Sequence, residues 1–484
     1  MIRLAPNPLT PAERYGVDLL IDLSRLLPID DPSANVTELE IVEDAGRSAT
    51  LAAWVAPRGK LDGADGVVRL PRSMLQLVAD IAGAGAEQRS TVEDRHGRVP
   101  SAENPLVQAR LERDPVVSRL AAELRRVAVE QAHARPMRLL PAWPDGSEWA
   151  AAITHDLDAV EWWPLFTSLR LAELVRKGQL GRAGQVVGAA LREALGDPIS
   201  TGIRSLASSV AERNIRATWF LLCGTPSLRT IAAGDLTYRP EGPQTKAAIA
   251  AVRAGGHEIG LHGSFETGAR EGEFELQRHR LGALTGADVT GVRQHFVKMR
   301  PGLTQRSMTQ AGFTYDATYG FPDRNGFRLG VADIVPAWDE RNGSAGTLME
   351  VPLMWMDRAL SKYRGIEQPD AWVDDALEIA RTCRDVGGLW VGLWHPNLVP
   401  ALGYPGSPRA LVRLLDALSA MKPYWGTLAD LTAWRRARRA VRARSIGADG
   451  QVVAVTAEPV RTRLRLLDAQ GRQAEDVIPA SRGA

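Results

Sequence analysis

Residues 148–158 read EWAAAITHDLD, an apolar run that closes on His155, Asp156 and Asp158. A β-strand turns successive side chains to opposite faces, so Asp156 and Asp158 leave this one on the same side and His155 on the other. Two carboxylates so placed can divide their work, one holding a divalent cation while the other stays free as a base. A DxD alone is also what a solvated loop looks like, so its weight depends on what the rest of the chain brings to it.

Further apolar runs follow: RATWFLLCG (216–224), HEIGLHG (257–263), VTGVRQHF (289–296), TLMEVPLMWMD (347–357), LWVGLWHPN (389–397) and YWGTLADL (424–431). Between them lie stretches with helical periodicity, TGIRSLASSVAERN (201–214), TKAAIAAVRAGG (245–256) and DAWVDDALEIARTCRDVGG (370–388), the last two ending on Gly pairs suited to a C-cap. This alternation predicts β/α units around a parallel sheet or barrel, an α/β fold. The Ala- and Leu-rich residues 165–196 read as a helical insertion after the first strand. In such a fold the C-terminal strand ends converge on one rim. Of eight histidines, His155, His262, His295 and His395 fall at predicted strand ends, and His257 opens a strand.

The segment GHEIGLHGSFET sets His262 and Glu266 four apart beyond a strand; an imidazole suits zinc and similar ions, and a carboxylate oxygen can add to it. His257, at that strand's start, reads as structural. In GVRQHF, Arg293 and His295 share a side of their strand, the first able to grip a carboxylate and the second to bind a metal. In GLWHPN, His395 ends an apolar strand, where an imidazole suits protonation of a leaving amine.

The composition, 45% hydrophobic and 24% charged, is that of a globular chain able to bury a large core. A formal charge of +2 gives no global field to attract nucleic acid or an anionic membrane. Cys223 and Cys383, each in an apolar segment, read as buried thiols of a reducing compartment. The opening residues hold no signal-like apolar core and nowhere is there an uncharged run long enough to span a membrane, so a cytoplasmic location is expected. Residues 1–140 read as a small α/β accessory domain, with a helix over PAERYGVDLLIDLSRLL (11–27) and strands at TLAAWVAP (50–57) and GVVRLP (66–71). Within it, Glu93, Asp94 and His96 read as a solvated loop. Residues 437–484 read as the end of a basic helix and a β-hairpin tail, the run RRARRAVRAR (435–444) being a solvated last turn rather than a docking site for an acidic partner.

Taken in order, ITHDLD, ATWFLL, GHEIGLHGS, VRQHF and LWHPN resemble the motifs of polysaccharide deacetylases of the NodB type, carbohydrate esterase family four, over about residues 148–436. With AGFTYDATYGF (311–321), GFRLG (326–330) and LMEVPLMWMD, they look like a branch with an HDVD-like first motif and an N-terminal accessory domain. The resemblance implies a distorted (β/α) barrel, a divalent metal, zinc by expectation, and hydrolysis of an N-acetyl group on a sugar or polysaccharide precursor. It casts Asp156 as base, Asp158 and His262 as metal ligands, Arg293 as the residue orienting the base, and His395 as acid. The chain departs from the pattern at Glu266, where the family has a second metal histidine, and at His295, where it has proline; either can supply the third ligand, with the imidazole of His295 preferred over Glu266. Trp355 and Trp394 can face a sugar ring or the core, and Asp316 and Asp357 can support the site from behind. A metal-dependent amidase acting on a small non-sugar amide and a non-catalytic glycan-binding barrel are the alternative functions.

Overall fold

The computed structural model describes residues 1–43, 61–133, 135, 137–161, 164–192, 197–228, 230, 235, 238–268, 270–447, 450–459 and 463–479; the predicted strand TLAAWVAP lies outside them. The N-terminal part forms a four-stranded sheet from β1 (Ile2–Leu4), β2 (Thr37–Val42), β3 (Asp62–Ala64) and β4 (Val67–Pro71), in the order β1-β2-β4-β3. Helix Pro11–Ser24, started by a Thr10–Glu13 capping box and by Pro11 in its first turn, packs against the helices Arg72–Ala82 and Val116–Ala132, which themselves cover the sheet.

The main sheet has ten strands: β5 (Ala150–Leu157), β6 (Thr218–Leu222), β7 (Glu258–Gly263), β8 (Gly291–Gln294), β9 (Tyr315–Asp316), β10 (Val335–Asp339), β11 (Ser344–Glu350), β12 (Trp355–Met356), β13 (Leu389–Leu393) and β14 (Tyr424–Trp425). Nine run in the order β10-β11-β9-β8-β7-β6-β5-β13-β12, and β14 pairs beside β5. Only β10 is antiparallel to its neighbour. The result is a curled, incomplete α/β barrel with helices packed outside, the distorted barrel that the strand rhythm predicts.

Three expectations are corrected. The run 347–357 is two strands, because Pro352 cannot donate to a ladder and the chain leaves the sheet between Glu350 and Trp355. Of 424–431 only Tyr424 and Trp425 are strand; Thr427 caps a helix, Leu428–Arg439. Beyond it the tail is a four-stranded sheet rather than a hairpin, β15 (Val441–Ile446), β16 (Val452–Thr456), β17 (Arg465–Leu467) and β18 (Gln473–Pro479), ordered β15-β16-β18-β17. Among the described residues no helix is long and apolar enough to cross a membrane. Cys223 and Cys383 are buried free thiols.

Buried ions tie the outer parts to the barrel. The basic run 435–444 is not a solvated turn: Arg435 and Arg438 are about 1% exposed or less. Arg435 grips Asp22 of the first helix with both terminal nitrogens at 3.1 Å and donates Nε–H to Asp333 at 2.7 Å. Arg438 donates to the carbonyls of Ala142 and Asp22. Burying such charges is repaid only when they are paired and hydrogen-bonded, a condition that Arg435 meets more fully than Arg438, whose Nε has no partner among the described residues. Likewise Arg328 of the barrel bonds Glu87 at 2.6 Å with both side chains buried, and Asn104 donates to the same carboxylate.

At the barrel edge, Asp316 and Glu350 face one another in register on β9 and β11. Burial, and then the neighbouring Asp316, push Glu350 well above its ordinary pKa of 4.5; burial pushes Asp316 up to about 6. The folded state therefore keeps a proton that the unfolded chain releases above about pH 4.5, and stability falls as pH rises through that window. Glu350→Gln, which keeps the shape without the titration, is expected to raise the neutral-pH melting temperature and to flatten its decline with pH in thermal scans from pH 4 to 8. An unchanged pH dependence would remove Glu350 as its source.

Candidate metal and catalytic site

Four adjacent strands, β13, β5, β6 and β7, and then β8, bring their C-terminal ends to one rim. Alternation along β5 puts Thr154, Asp156 and Asp158 on the inner face. His155 leaves on the other, where its Nδ1–H donates to the Trp394 carbonyl at 2.7 Å and its ring lies 4.3 Å from that of Trp219. Burial lowers its pKa to about 3, so it stays neutral and serves packing. His257 is also structural: Nδ1 accepts from the Ala217 amide and Nε2–H donates to the Ala207 carbonyl.

Arg293 is fully buried inside the curl. It donates Nη1–H to Asp156 Oδ1 at 2.9 Å and Thr154 Oγ1 at 2.8 Å, and Nε–H to the Ala317 carbonyl at 3.0 Å, with its guanidinium 4.5 Å over the Phe220 ring. Asp156 thus stands beside a fixed cation with one carboxylate oxygen committed to it.

Three imidazoles are anchored the same way, by Nδ1, and present Nε2 to Asp158. His262 Nδ1–H donates to the Arg293 carbonyl at 2.9 Å, His295 Nδ1–H to Asp235 at 2.8 Å, and His395 Nδ1–H to Asp357 at 2.6 Å. Their Nε2 atoms lie 3.3, 3.5 and 3.8 Å from the Asp158 carboxylate. A ring that spends its Nδ1 proton on an acceptor has a lone pair at Nε2 when neutral. Two acceptors facing across such a gap need a positive charge between them, a proton or a metal ion. Burial works against the charged imidazole of His262, but Asp156 and Asp158 outweigh it and raise its pKa. Burial likewise opposes protonation of His395, and Asp357 outweighs it. Asp158 is held far below the carboxylate range, its burial overcome by His262, His295 and His395.

The ligand atoms of Asp158, His262 and His295 all lie within 4.8 Å of one another. Donors bound tetrahedrally at about 2.1 Å stand roughly 3.4 Å apart, close to the 3.3 and 3.5 Å separating His262 and His295 from Asp158. The donor set fits a divalent ion. Glu266 is not part of this group; its carboxylate pairs with Arg270 at 2.9 Å, four residues on along the same turn. His295 gains its direction from a tight turn in which Phe296 and Val297 take left-handed φ of 58° and 47°, a costly conformation for a β-branched residue.

One of these supports, Asp235, lies outside the motifs. Asp235 sits in the long connection after β6, where no periodic signal marks it; it also accepts from the Phe265 amide. Asp357 closes the apolar run of β12 and was legible as a strand-end acid. It holds His395 twice, by Nδ1 and by the backbone amide. Asp316 turns instead to Thr318 and Glu350. Trp355 and Trp394 are buried in the main core, their rings 5.8 Å apart.

Removing Arg293 strands a buried carboxylate. Arg293→Ala is expected to lower stability by about 3–5 kcal/mol in urea denaturation, and a change under 1 kcal/mol would show that Asp156 is solvated after all.

No family model matches the chain, and no curated protein matches its sequence. Solved structures do match. A protein assigned as a polysaccharide deacetylase from Mycobacterium smegmatis shares 22% identity over 61% of this chain and 93% of that one, with a TM-score of 0.42. A family 4 carbohydrate esterase from Streptomyces lividans, solved with acetate, shares 11% over 56% of this chain and 90% of its own, TM-score 0.29. A family-four pseudoenzyme from Bacillus anthracis shares 12% over 63% and 72%, TM-score 0.29. The second and third of these structures are described as members of carbohydrate esterase family four.

Proposed function

We propose that the protein is a metal-dependent hydrolase that removes the acetyl group from an N-acetylated sugar, with Asp158, His262 and His295 holding a divalent ion. The observation that carries this reading is the convergence of three Nδ1-anchored imidazoles on the Asp158 carboxylate, with His262 Nε2 also 3.7 Å from Asp156, a second carboxylate fixed by a buried arginine. Imidazole and carboxylate donors in this number suit zinc. When bound, such an ion supplies Lewis acidity towards the acyl oxygen and the attacking water.

The chain's own groups supply the rest. Asp156 takes the proton of the water through the oxygen that Arg293 leaves uncommitted, and Arg293 keeps the carboxylate aimed. His395, its protonated form favoured by Asp357, delivers a proton to the leaving nitrogen as the amide breaks. The amine then leaves uncharged or as the ammonium and the acetyl group as acetate. The sequence motifs, read as a deacetylase, assign the same roles to Asp156, Arg293 and His395.

Four substitutions test the reading by three kinds of measurement. Elemental analysis of His262→Ala is expected to show metal occupancy cut sharply, and full occupancy would end the ligand assignment. In metal titrations, Asp235→Ala should weaken affinity about 10- to 100-fold by freeing His295, whereas Glu266→Gln should change it little. Asp156→Asn should keep its melting temperature within a few degrees while acetate release falls roughly 10²-fold or more. An active Asp156→Asn enzyme would place the base elsewhere.

A further inference from the structure

The pocket over Asp158 has an open volume of about 90 Å³, room for a few heavy atoms. An acetamido group fits there; the body of a substrate must rest at the mouth. The mouth is basic. Arg98 comes from the N-terminal part, and Arg358 and Lys362 from the turn after β12, all three lining the same pocket as Asp156, Asp158 and His395.

The loop carrying Arg98, expected to be solvated, is built against the barrel. Asp94 accepts from the amides of His96 and Arg98, the His96 ring stacks on Phe296 at 5.4 Å, and Glu93 pairs with Arg300. Arg98 is spent on Asp94 and on the Phe296 carbonyl, at 2.8 Å each. It forms the wall beneath two cations that are not spent. Arg358 donates to the Tyr404 hydroxyl, and the Lys362 ammonium sits 5.8 and 5.5 Å over the rings of Phe296 and Tyr363. Among the described residues neither pairs with a carboxylate. Burial, and the nearby Arg358, Arg95 and Arg98, hold Lys362 below its ordinary pKa. The acids in the pocket cannot balance these charges, since Asp156 is taken by Arg293 and Asp158 by the histidines.

Crowded cations without counterions attract an oxyanion, and a phosphoryl group, with several oxygens and up to two charges, can engage an arginine fork and an ammonium together. We propose that the substrate is an N-acetylated sugar bearing a phosphoryl group, held at the mouth by Arg358 and Lys362 while the acetamide enters the pocket. The proposal rests on the deacetylase reading above. The phosphoryl group can belong to a sugar phosphate or to a nucleotide-linked sugar.

The test compares N-acetylglucosamine, its 1-phosphate and its uridine diphosphate conjugate, by calorimetric binding and by acetate release from metal-loaded protein. Both phosphorylated probes are expected to exceed the neutral sugar about 10-fold or more in affinity and in kcat/KM, the advantage shrinking with salt. The ranking of the two identifies the source. Lys362→Met and Arg358→Met should each reduce the phosphorylated-to-neutral ratio, their double variant should bring it near 1, and Lys362→Arg should keep it; melting curves check that each variant folds. Equal binding of charged and neutral sugars, or a ratio untouched in the double variant, overturns the proposal. Preferential binding with no acetate released from any probe leaves the anion site standing and ends the deacetylase reading. Equal acetate release from all three does the reverse.

Discussion

A guanidinium shut away from water must find acceptors, and Arg293 finds them on β5, three places away in the sheet. In a flat sheet three strand spacings come to about 14 Å, beyond the reach of one arginine. The contact closes only because the strands curl, and it helps to hold them curled. Everything at the rim follows from that closure: the Arg293 carbonyl orients His262, its guanidinium fixes Asp156, and the two strands then present Asp158 and His295 to one point. An arginine rather than a lysine is needed, because the bonds to Asp156, Thr154 and the Ala317 carbonyl leave from a rigid fork in different directions.

Around this centre the same device is used three times. Each imidazole has its inner nitrogen tied by an acceptor of different origin, a backbone carbonyl for His262, a loop carboxylate for His295 and a strand-end carboxylate for His395. The acceptor decides the tautomer and so decides which nitrogen faces the cavity.

Strand-end residues of β5, β7, β8 and β13 were legible in the sequence because alternation is local: an apolar run with a polar residue at its close fixes both face and end. The two-residue strand β9 and the antiparallel β10 were not, since so short or so edge-placed a segment leaves no period to read. Ligand chemistry already favoured His295 over Glu266, but the turn at Phe296 that sets His295 beside Asp158 is one that no spacing rule encodes. Asp235 and the loop at 93–98 meet the site across separations of 60 and about 200 residues, where only the closed fold brings chain to chain. The basic run 435–444 misleads for the same reason. Its charge pattern reads as solvent-facing, and the acid that buries it lies at the other end of the chain.

That last separation has a temporal side. Asp22 and Arg435 stand 413 residues apart, so a ribosome elongating at about 5–20 residues per second makes the first roughly 20 to 80 s before the second. Throughout that interval the helix Pro11–Ser24 carries a carboxylate destined for burial, and the apolar face around it, with no cation to accept. Long-range closure of this kind slows folding and leaves surface open to wrong partners. Helix Pro11–Ser24 is thus completed only long after it is made, and a nascent chain at this stage exposes surface of the kind that chaperones bind.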